Sequence, residues 1–285
     1  MKKKWWTCGL TAVLSIGLLV GCGTGGNDTK TGEEPAGTNE PNTEEVTEVP
    51  KDAKTLKMGT SADYPPYESM DLTTEEIIGF DVDIAKQITA ELGYNLEIVD
   101  MDFSALIPAM EGKRVDFVLA GMTPDEDRKK NVDFSDVYFE AANLIVSKEE
   151  SNITSLDDLK GLKVGVQLGS IQEAEAETLA EEHGFEVVKL NRIPEIVQEL
   201  LAGRIDGILM EDTVAEGHME AQKQLVSFSV PTEGDSGNAI AFPKGSELVE
   251  PFNEKLNEMI ESGKIDELVL KWFGADEQVQ EQEQK

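Results

Sequence analysis

The sequence predicts an α/β protein made of two similar lobes that face one cleft. Three observations carry this. Strand and helix patterns alternate as strand, helix, strand, helix, strand, and they do so twice. Two segments about ninety residues apart share one grammar: "AMEGKRVDFVLAGMT" and "ELLAGRIDGILMEDT" both run helix, Gly, basic residue, Val or Ile, Asp, apolar strand, Thr. The body from Ala53 to Gly274, about 220 residues, is long enough for two cores.

The elements follow in order. "LKMGTSA" reads as a short strand and "DYPPYE" as a turn-rich link. In "GFDVDIAKQITAELG", Ile84, Ile88 and Leu92 recur every fourth residue, which predicts a helix that Asp81 caps and Gly93 ends. "NLEIV" alternates as a strand, "DFSALIPAMEG" is a short helix closed by Gly112, and "VDFVLAG" is a buried strand. In the second half "LKVGVQLGS" is a strand entering a helix, where Ser170 and Glu173 form a capping box. "FEVVKL" is the next strand, "IPEIVQELLAG" a helix with Pro194 in its first turn, and "RIDGILMED" a strand. Each half predicts a parallel sheet with helices on both faces. In open sheets of this kind ligands bind beyond the carboxyl ends of the strands. Those ends are Gly121-Met122-Thr123 and Glu211-Asp212-Thr213.

The start of the chain reads as an export address. Lys2, Lys3 and Lys4 precede an apolar stretch from about Gly9 to Val20, shorter than the ~20 residues that span a bilayer. Residues 1–21 are expected to be a signal peptide. From Cys22 to Asp52 the chain is Gly, Thr, Asn, Glu and Pro with little to bury, so 22–52 reads as a disordered tether reaching ~30 Å r.m.s.. Residues 275–285 form a polar tail. Cys8 falls in the signal, so the body has no cysteine and no disulfide. The net charge of −32 argues against nucleic acid and against broad attachment to anionic lipid. No nucleophile–His pair, metal-ligand spacing or Gly-rich phosphate loop stands out, and "VGVQLGS" lacks the GxGxxG spacing. His183 and His218 sit in polar helical stretches and read as surface residues, and Trp272 as packing.

Two resemblances sharpen this reading. Leu19-Val20-Gly21-Cys22 resembles the lipobox of bacterial lipoproteins, which implies cleavage before Cys22 and a diacylglyceryl group on its thiol. "TSADYPPYE", "IGFDVDIA", "MDFSALIPAM", "VDFVLAGMTPDEDRKKNVDFSDVYF", "KVGVQLGS", "GRIDGILMEDT", "AIAFPKGS" and "KWFG" occur in this order across Leu56–Gly274. Together they resemble the extracytoplasmic solute-binding proteins of polar amino acid ABC importers. The resemblance implies a two-lobed, periplasmic-binding-protein-like fold of type II. Lobe 1 is then 53–139 plus 237–274 and lobe 2 is 140–236. A hinge is implied near Tyr138–Ala142 and Gly234–Asn238.

It also implies roles, residue by residue. A zwitterion in a cleft needs both charges paired. Arg128 matches the carboxylate-binding arginine, whose planar fork suits that group. Thr123 adds its hydroxyl and N–H. Ser170 and Ile171 supply N–H groups at a helix start. Asp212 matches the ammonium-binding acid and the Gly121 carbonyl its partner. Tyr64 and Phe103 match the aromatics that sandwich the aliphatic part of the ligand. Members that take cationic amino acids place acids where Ser61 and Asp81 stand; Ser61 is neutral here and Asp81 is kept. Glu211 and Gln167 complete the set. An acidic ligand side chain would meet Asp81 and Glu211 as like charges. Aspartate and glutamate are therefore expected to bind poorly, and arginine, lysine or ornithine to be preferred. Structural uses compete with these roles. Arg128 lies in the charge run "DEDRKK", Asp212 and Asp81 sit where helices start, and Tyr64 and Phe103 suit a core.

The expected protein is a monomeric, lipid-anchored receptor outside the cytoplasm. It delivers an amino acid to a permease and ATPase on separate chains, without cofactor, metal or catalysis. The alternatives are a dehydratase-like secreted enzyme of the same fold, a ligand-sensing module, and a surface lipoprotein that binds nothing.

Overall fold

The computed structural model describes residues 49–231 and 237–274. The expected signal peptide (1–21), Cys22 and the expected tether (22–52, apart from 49–52), the expected polar tail (275–285) and most of the second expected hinge segment lie outside the described residues. The first lobe opens with β1 (Thr55–Thr60), then a small sheet of β2 (Asp63–Tyr64), β3 (Glu68–Met70) and β4 (Ile77–Ile78). Helix α1 (Phe80–Glu91), β5 (Asn95–Asp100), α2 (Leu106–Glu111), β6 (Phe117–Val118) and β7 (Val132–Glu140) follow. The second lobe holds β8 (Asn143–Lys148), β9 (Lys163–Gln167), α3 (Ile171–His183), β10 (Glu186–Leu190), α4 (Ile193–Leu201), β11 (Gly207–Glu211), α5 (Asp212–Ala221) and β12 (Leu225–Ser229). The chain returns to the first lobe in β13 (Gly237–Pro243), α6 (Val249–Glu261) and α7 (Lys264–Trp272).

The two large sheets have the orders β5-β1-β6-β13-β7 and β10-β9-β11-β8-β12. Strand β1 pairs in parallel with β5 and β6, and β9 with β10 and β11. The expectation of wholly parallel sheets needs correction. Strands β13 and β7 are antiparallel to their neighbours, as are β8 and β12. The cause is the crossing between lobes. Strand β7 carries the chain out of the first sheet and β13 brings it back alongside, so the two run in opposite directions; β8 and β12 repeat this in the second sheet.

The repeated sequence grammar has a physical explanation. Asp116 accepts the Lys57 N–H at 2.7 Å through its side chain and donates its own N–H to the Lys57 carbonyl at 2.8 Å. Asp206 does the same to Lys163, at 2.9 and 2.8 Å. In each lobe one aspartate fixes where the first strand meets its parallel partner. Both first strands also carry a glycine under packed side chains. A Cβ on Gly165 would lie 2.6 Å from Ile205 and 2.7 Å from Ile196, and one on Gly59 3.1 Å from Val118.

Three local expectations change. Asp81 does not cap α1. The N-cap position is Gly79, at φ 147°, pressed so closely on the Tyr67 backbone that no side chain fits. Asp81 therefore falls on the inward face of the first turn and is fully buried. At α3 the capping box is half formed: Ser170 accepts the Glu173 N–H at 3.2 Å, but the Glu173 carboxylate takes the Gly169 N–H at 2.6 Å instead of returning to Ser170. Lys189, 2.6 Å from Glu173 Oε1, draws the carboxylate outward. His218 is half-buried rather than superficial, with Nε2 buried and without a partner, and burial lowers its pKa.

An aromatic cluster joins the first lobe to the crossing. Phe139, at the end of β7, stacks on Phe273 at 4.7 Å, and Phe80 and Tyr67 meet Phe273 edge-on at 5.0 and 5.3 Å. Trp272 Nε1 donates to Asp83 at 2.8 Å. The terminal "KWFG" thus packs against the point where the chain leaves the lobe.

Replacing Asp206 with Ala should lower stability by about 1–2 kcal/mol, because the Lys163 N–H loses its acceptor beside a buried strand. In thermal unfolding this reads as a drop of roughly 2–8 °C for a protein of this size. Asp116→Ala should match it within error if the two aspartates are equivalent.

Candidate ligand-binding cleft

The carboxyl ends of the parallel strands meet across a narrow cavity of about 10 Å³, close to the space one water needs. Its wall includes Tyr64, Phe103, Gly121, Thr123, Arg128, Gln167, Ser170, Ile171 and Glu211. Ala120 and Gln172 also line it; sequence reading missed them. Each lies next in sequence to an expected site residue, and neither matches a ligand-binding position of the family pattern. Ser61, Asp81 and Asp212 are not on the wall.

Arg128 is the hub of one side. It is 8 % exposed, and its guanidinium lies 5.4 Å from the centre of the Phe103 ring. Nη1 donates to the Thr123 carbonyl at 2.7 Å, Nη2 to the Gly169 carbonyl at 2.9 Å, and Nε lies 3.3 Å from Asp125 Oδ2. A guanidinium has five N–H groups, so two remain for a ligand. Burial lowers the Arg128 pKa, and the charges of Asp125 and Glu211 raise it again. In "DEDRKK" a surface run was the bland expectation; the short turn places Arg128 inward while Lys129 and Lys130 stay exposed.

Tyr64 covers Gly121. A Cβ there would sit 3.3 Å from the Tyr64 ring, and Gly121 holds φ 53°, so glycine alone fits comfortably. Ser170 turns both its N–H and its hydroxyl back to the Gln167 carbonyl, at 3.2 and 2.8 Å. Ser61 donates its hydroxyl to Asp63 at 2.7 Å. Asp212 accepts the Thr213 N–H at 2.8 Å and its pKa is raised by burial.

Behind Tyr64 and Gly121 lies a group of buried acids. Asp81 accepts the Gly121 N–H at 2.8 Å, and the Tyr138 hydroxyl lies 2.8 and 2.9 Å from its two oxygens. Glu68, opposite Tyr64 in the β2–β3 pair, is fully buried; neither of its oxygens meets an N–H or hydroxyl donor, and its side-chain hydrogen bond is with the Asp81 carboxyl. Glu211 is 4 % exposed and its Oε2 likewise meets no such donor. Among the described residues none of the three has an ion pair. Burial raises the Asp81 pKa to about 7. Burial first, then Asp212, raises that of Glu211 to about 8. Glu68 is pushed well above the carboxylate range by burial and then by Asp81. Sequence reading did not find Glu68. The signal was an acid ending the otherwise apolar "YPPYE", which a turn disguises.

A cleft of this kind, walled by rings, with an arginine fork on one side and unpaired acids behind the other, binds a small solute between two lobes. Comparison with known proteins agrees. The model of the bacterial extracellular solute-binding proteins, family 3, matches residues 56–275. An arginine-binding extracellular protein, ArtP, of Bacillus subtilis (strain 168) is 43 % identical over 273 residues, covering 95 % of this chain and 98 % of the relative. The crystal structure of the substrate-binding protein of an amino acid ABC transporter is 41 % identical, with a TM-score of 0.74 over 78 % of this chain and all of its own. An ancestral arginine-binding protein bound to arginine is 42 % identical, with a TM-score of 0.73 over 77 % of this chain and 98 % of its own. The chain belongs to the bacterial extracellular solute-binding proteins, family 3, and is a receptor for an amino acid in an ABC transport system.

Arg128→Ala should abolish amino acid binding. A carboxylate buried without its partner costs about 4 kcal/mol, or roughly three decades in affinity. Calorimetric titration measures the loss, and circular dichroism checks that the variant is folded; a folded variant of unchanged affinity would remove Arg128 from the site.

Proposed function

We propose that this receptor binds a cationic L-amino acid, arginine before lysine or ornithine. The observation that carries this is the buried set Glu211, on the cavity wall, and Glu68 and Asp81 behind it, none of them in an ion pair among the described residues. Buried carboxylates without a countercharge are costly, and a cationic side chain entering the cleft relieves that cost. Among the described residues no group of acids, His or Cys has the arrangement to hold a metal ion, which favours an organic cation. That two of the relatives bind arginine by name supports the same choice.

In this reading Arg128 and Thr123 take the ligand carboxylate, with the N–H of Ile171 at the start of α3. Asp212 and the Gly121 carbonyl take the ammonium, which requires Asp212 to turn from the Thr213 N–H. Tyr64 and Phe103 hold the aliphatic stem, Gln167 adds a polar contact, and Ser61 acts through Asp63. The receptor passes its ligand to a permease and ATPase on other chains and has no catalytic step. Cys22 carries the lipid that keeps it at the outer face of the membrane, and lobe boundaries near residues 140 and 237 let the cleft open.

The cation preference is tested by competition. Arginine should displace glutamine and glutamate, and Glu68→Gln should weaken arginine more than glutamine. Glutamate as the tightest ligand would defeat the acidic-pocket reading.

The acids also set a pH dependence. Their pKa values are raised on folding above the ordinary values near 4. The free protein therefore holds extra protons, and these groups withdraw stability as pH rises from about 4 through 8. A ligand cation favours their charged forms, so binding releases protons and tightens with pH. Arginine affinity should rise about tenfold between pH 6 and 8.5, while glutamine affinity stays flat; titration calorimetry at both pH values decides.

Cys22→Ser should leave the receptor unlipidated and soluble. Fractionation with fatty-acid labelling reads this directly, and a variant still labelled and on membranes would overturn the anchor.

A further inference from the structure

We propose that Arg192 is a positioning residue that latches the cleft shut, setting how long a ligand stays without touching it. The inference rests on the reading of the protein as a receptor whose lobes separate. An amino acid cannot enter a cavity of about 10 Å³ unless they do.

Arg192 is the residue before α4, which packs on β9 and β11 of the second lobe. Its guanidinium reaches across to three carboxylates of the first lobe. Nε donates to Asp102 at 2.8 Å, Nη1 and Nη2 to the two oxygens of Asp100 at 2.9 and 3.3 Å, and Nη1 lies 3.5 Å from Asp63. The next residue adds a backbone bond, Ile193 N–H to Asp63 Oδ2 at 2.7 Å.

Two of the three acids are held by their own lobe. Asp100 Oδ1 accepts the Ala62 N–H at 2.9 Å, and Asp63 Oδ1 the Ser61 hydroxyl at 2.7 Å. All three converge at or just after the ends of β1 and β5. Closure brings one planar fork onto all three. The bidentate pair to Asp100 is the geometry in which an arginine gains most. The Arg192 side chain is 23 % exposed while Asp100 and Asp102 remain open to solvent, so the gain rests on the bidentate geometry and on three acids meeting one fork rather than on burial.

None of Arg192, Asp63, Asp100 and Asp102 is on the cavity wall. The latch is therefore independent of what the cleft holds. Apparent affinity is the intrinsic affinity multiplied by the population of the competent state. A latch outside the cavity acts on every ligand by one factor: it slows release from the closed receptor and, to the extent that it holds the free cleft shut, capture as well. Pocket residues do the opposite and act ligand by ligand.

The test uses the lipid-free receptor body with Arg192→Ala, Asp102→Asn and the double variant. Binding of arginine and of lysine is followed by stopped-flow and calorimetry, and shape by small-angle scattering. Arg192→Ala should weaken both ligands by a common factor of about tenfold, carried by faster release, and should enlarge the ligand-free radius of gyration. Asp102→Asn should do the same to a lesser degree, and the double variant should add little to Arg192→Ala, because each change removes the same contact. Unchanged release rate and radius in Arg192→Ala would overturn the latch. Factors that differ more than threefold between arginine and lysine would also overturn it, since Arg192 would then be sensing the ligand. If Arg192→Ala does not fold, Asp102→Asn decides alone by the same measures. If the unmodified receptor bound neither ligand, the receptor reading would fail, and the ligand-free radius of gyration would still decide the latch.

Discussion

Among the described residues three buried acids, Glu68, Asp81 and Glu211, have no ion pair, although the Arg128 guanidinium shares the cavity with Glu211. Much of the architecture follows from keeping them there. Asp81 is placed by Gly79, which lets α1 begin tight against the Tyr67 backbone. It is held by the Gly121 N–H and by Tyr138, from β7. Glu211 closes β11 and Glu68 lies in the small sheet, so the group draws on both lobes. The rings of Tyr64, Tyr67, Phe80, Phe139 and Phe273 pack on one another along the same elements. That apolar packing keeps the local dielectric low and makes the missing charge matter. Tyr138 and Phe139 also lie at the end of the strand that leaves the lobe. The group that wants a cation and the point where the chain crosses therefore share side chains.

Charge is managed differently in the three regions of the cleft. Arg128 is satisfied by carbonyls and keeps two donors in reserve. Among the described residues the buried acids have neutral hydrogen-bond donors at most and no ion pair. The rim acids Asp63, Asp100 and Asp102 are satisfied by Arg192 from the opposite lobe. Reserve donors suit a carboxylate, unmet acids suit a cation, and a met rim suits a contact made on closing. Arg128 also meets the Gly169 carbonyl of the opposite lobe, so contact between the lobes is made both at the cavity wall and at the rim.

Sequence spacing made much of this legible. The helices of Ile84, Ile88 and Leu92, of Pro194 and of Ser170 follow from apolar periodicity and caps, which are local. The repeated Asp in "RVD" and "RID" was visible as a pattern, and only its two hydrogen bonds explain it. The antiparallel strands could not be foreseen, because their direction follows from where β7 and β13 cross and not from their composition. Asp81 was misassigned as a cap since an acid at a helix start looks the same whether it faces out or in. Glu68 escaped notice because an acid after "YPPY" has an ordinary surface reading.

The sequence by itself determined the α/β class, the two-lobe repeat, the strand ends where a ligand would sit and the family to which the chain belongs. These depend on periodicity, capping and motif order, all short-range along the chain. Only the tertiary structure decided which acids are buried, that Arg128 turns inward from a charged run, and that Arg192 meets residues some ninety positions away. Burial and pairing depend on what the rest of the chain brings alongside, and a carboxylate carries no mark in sequence of the dielectric it will occupy.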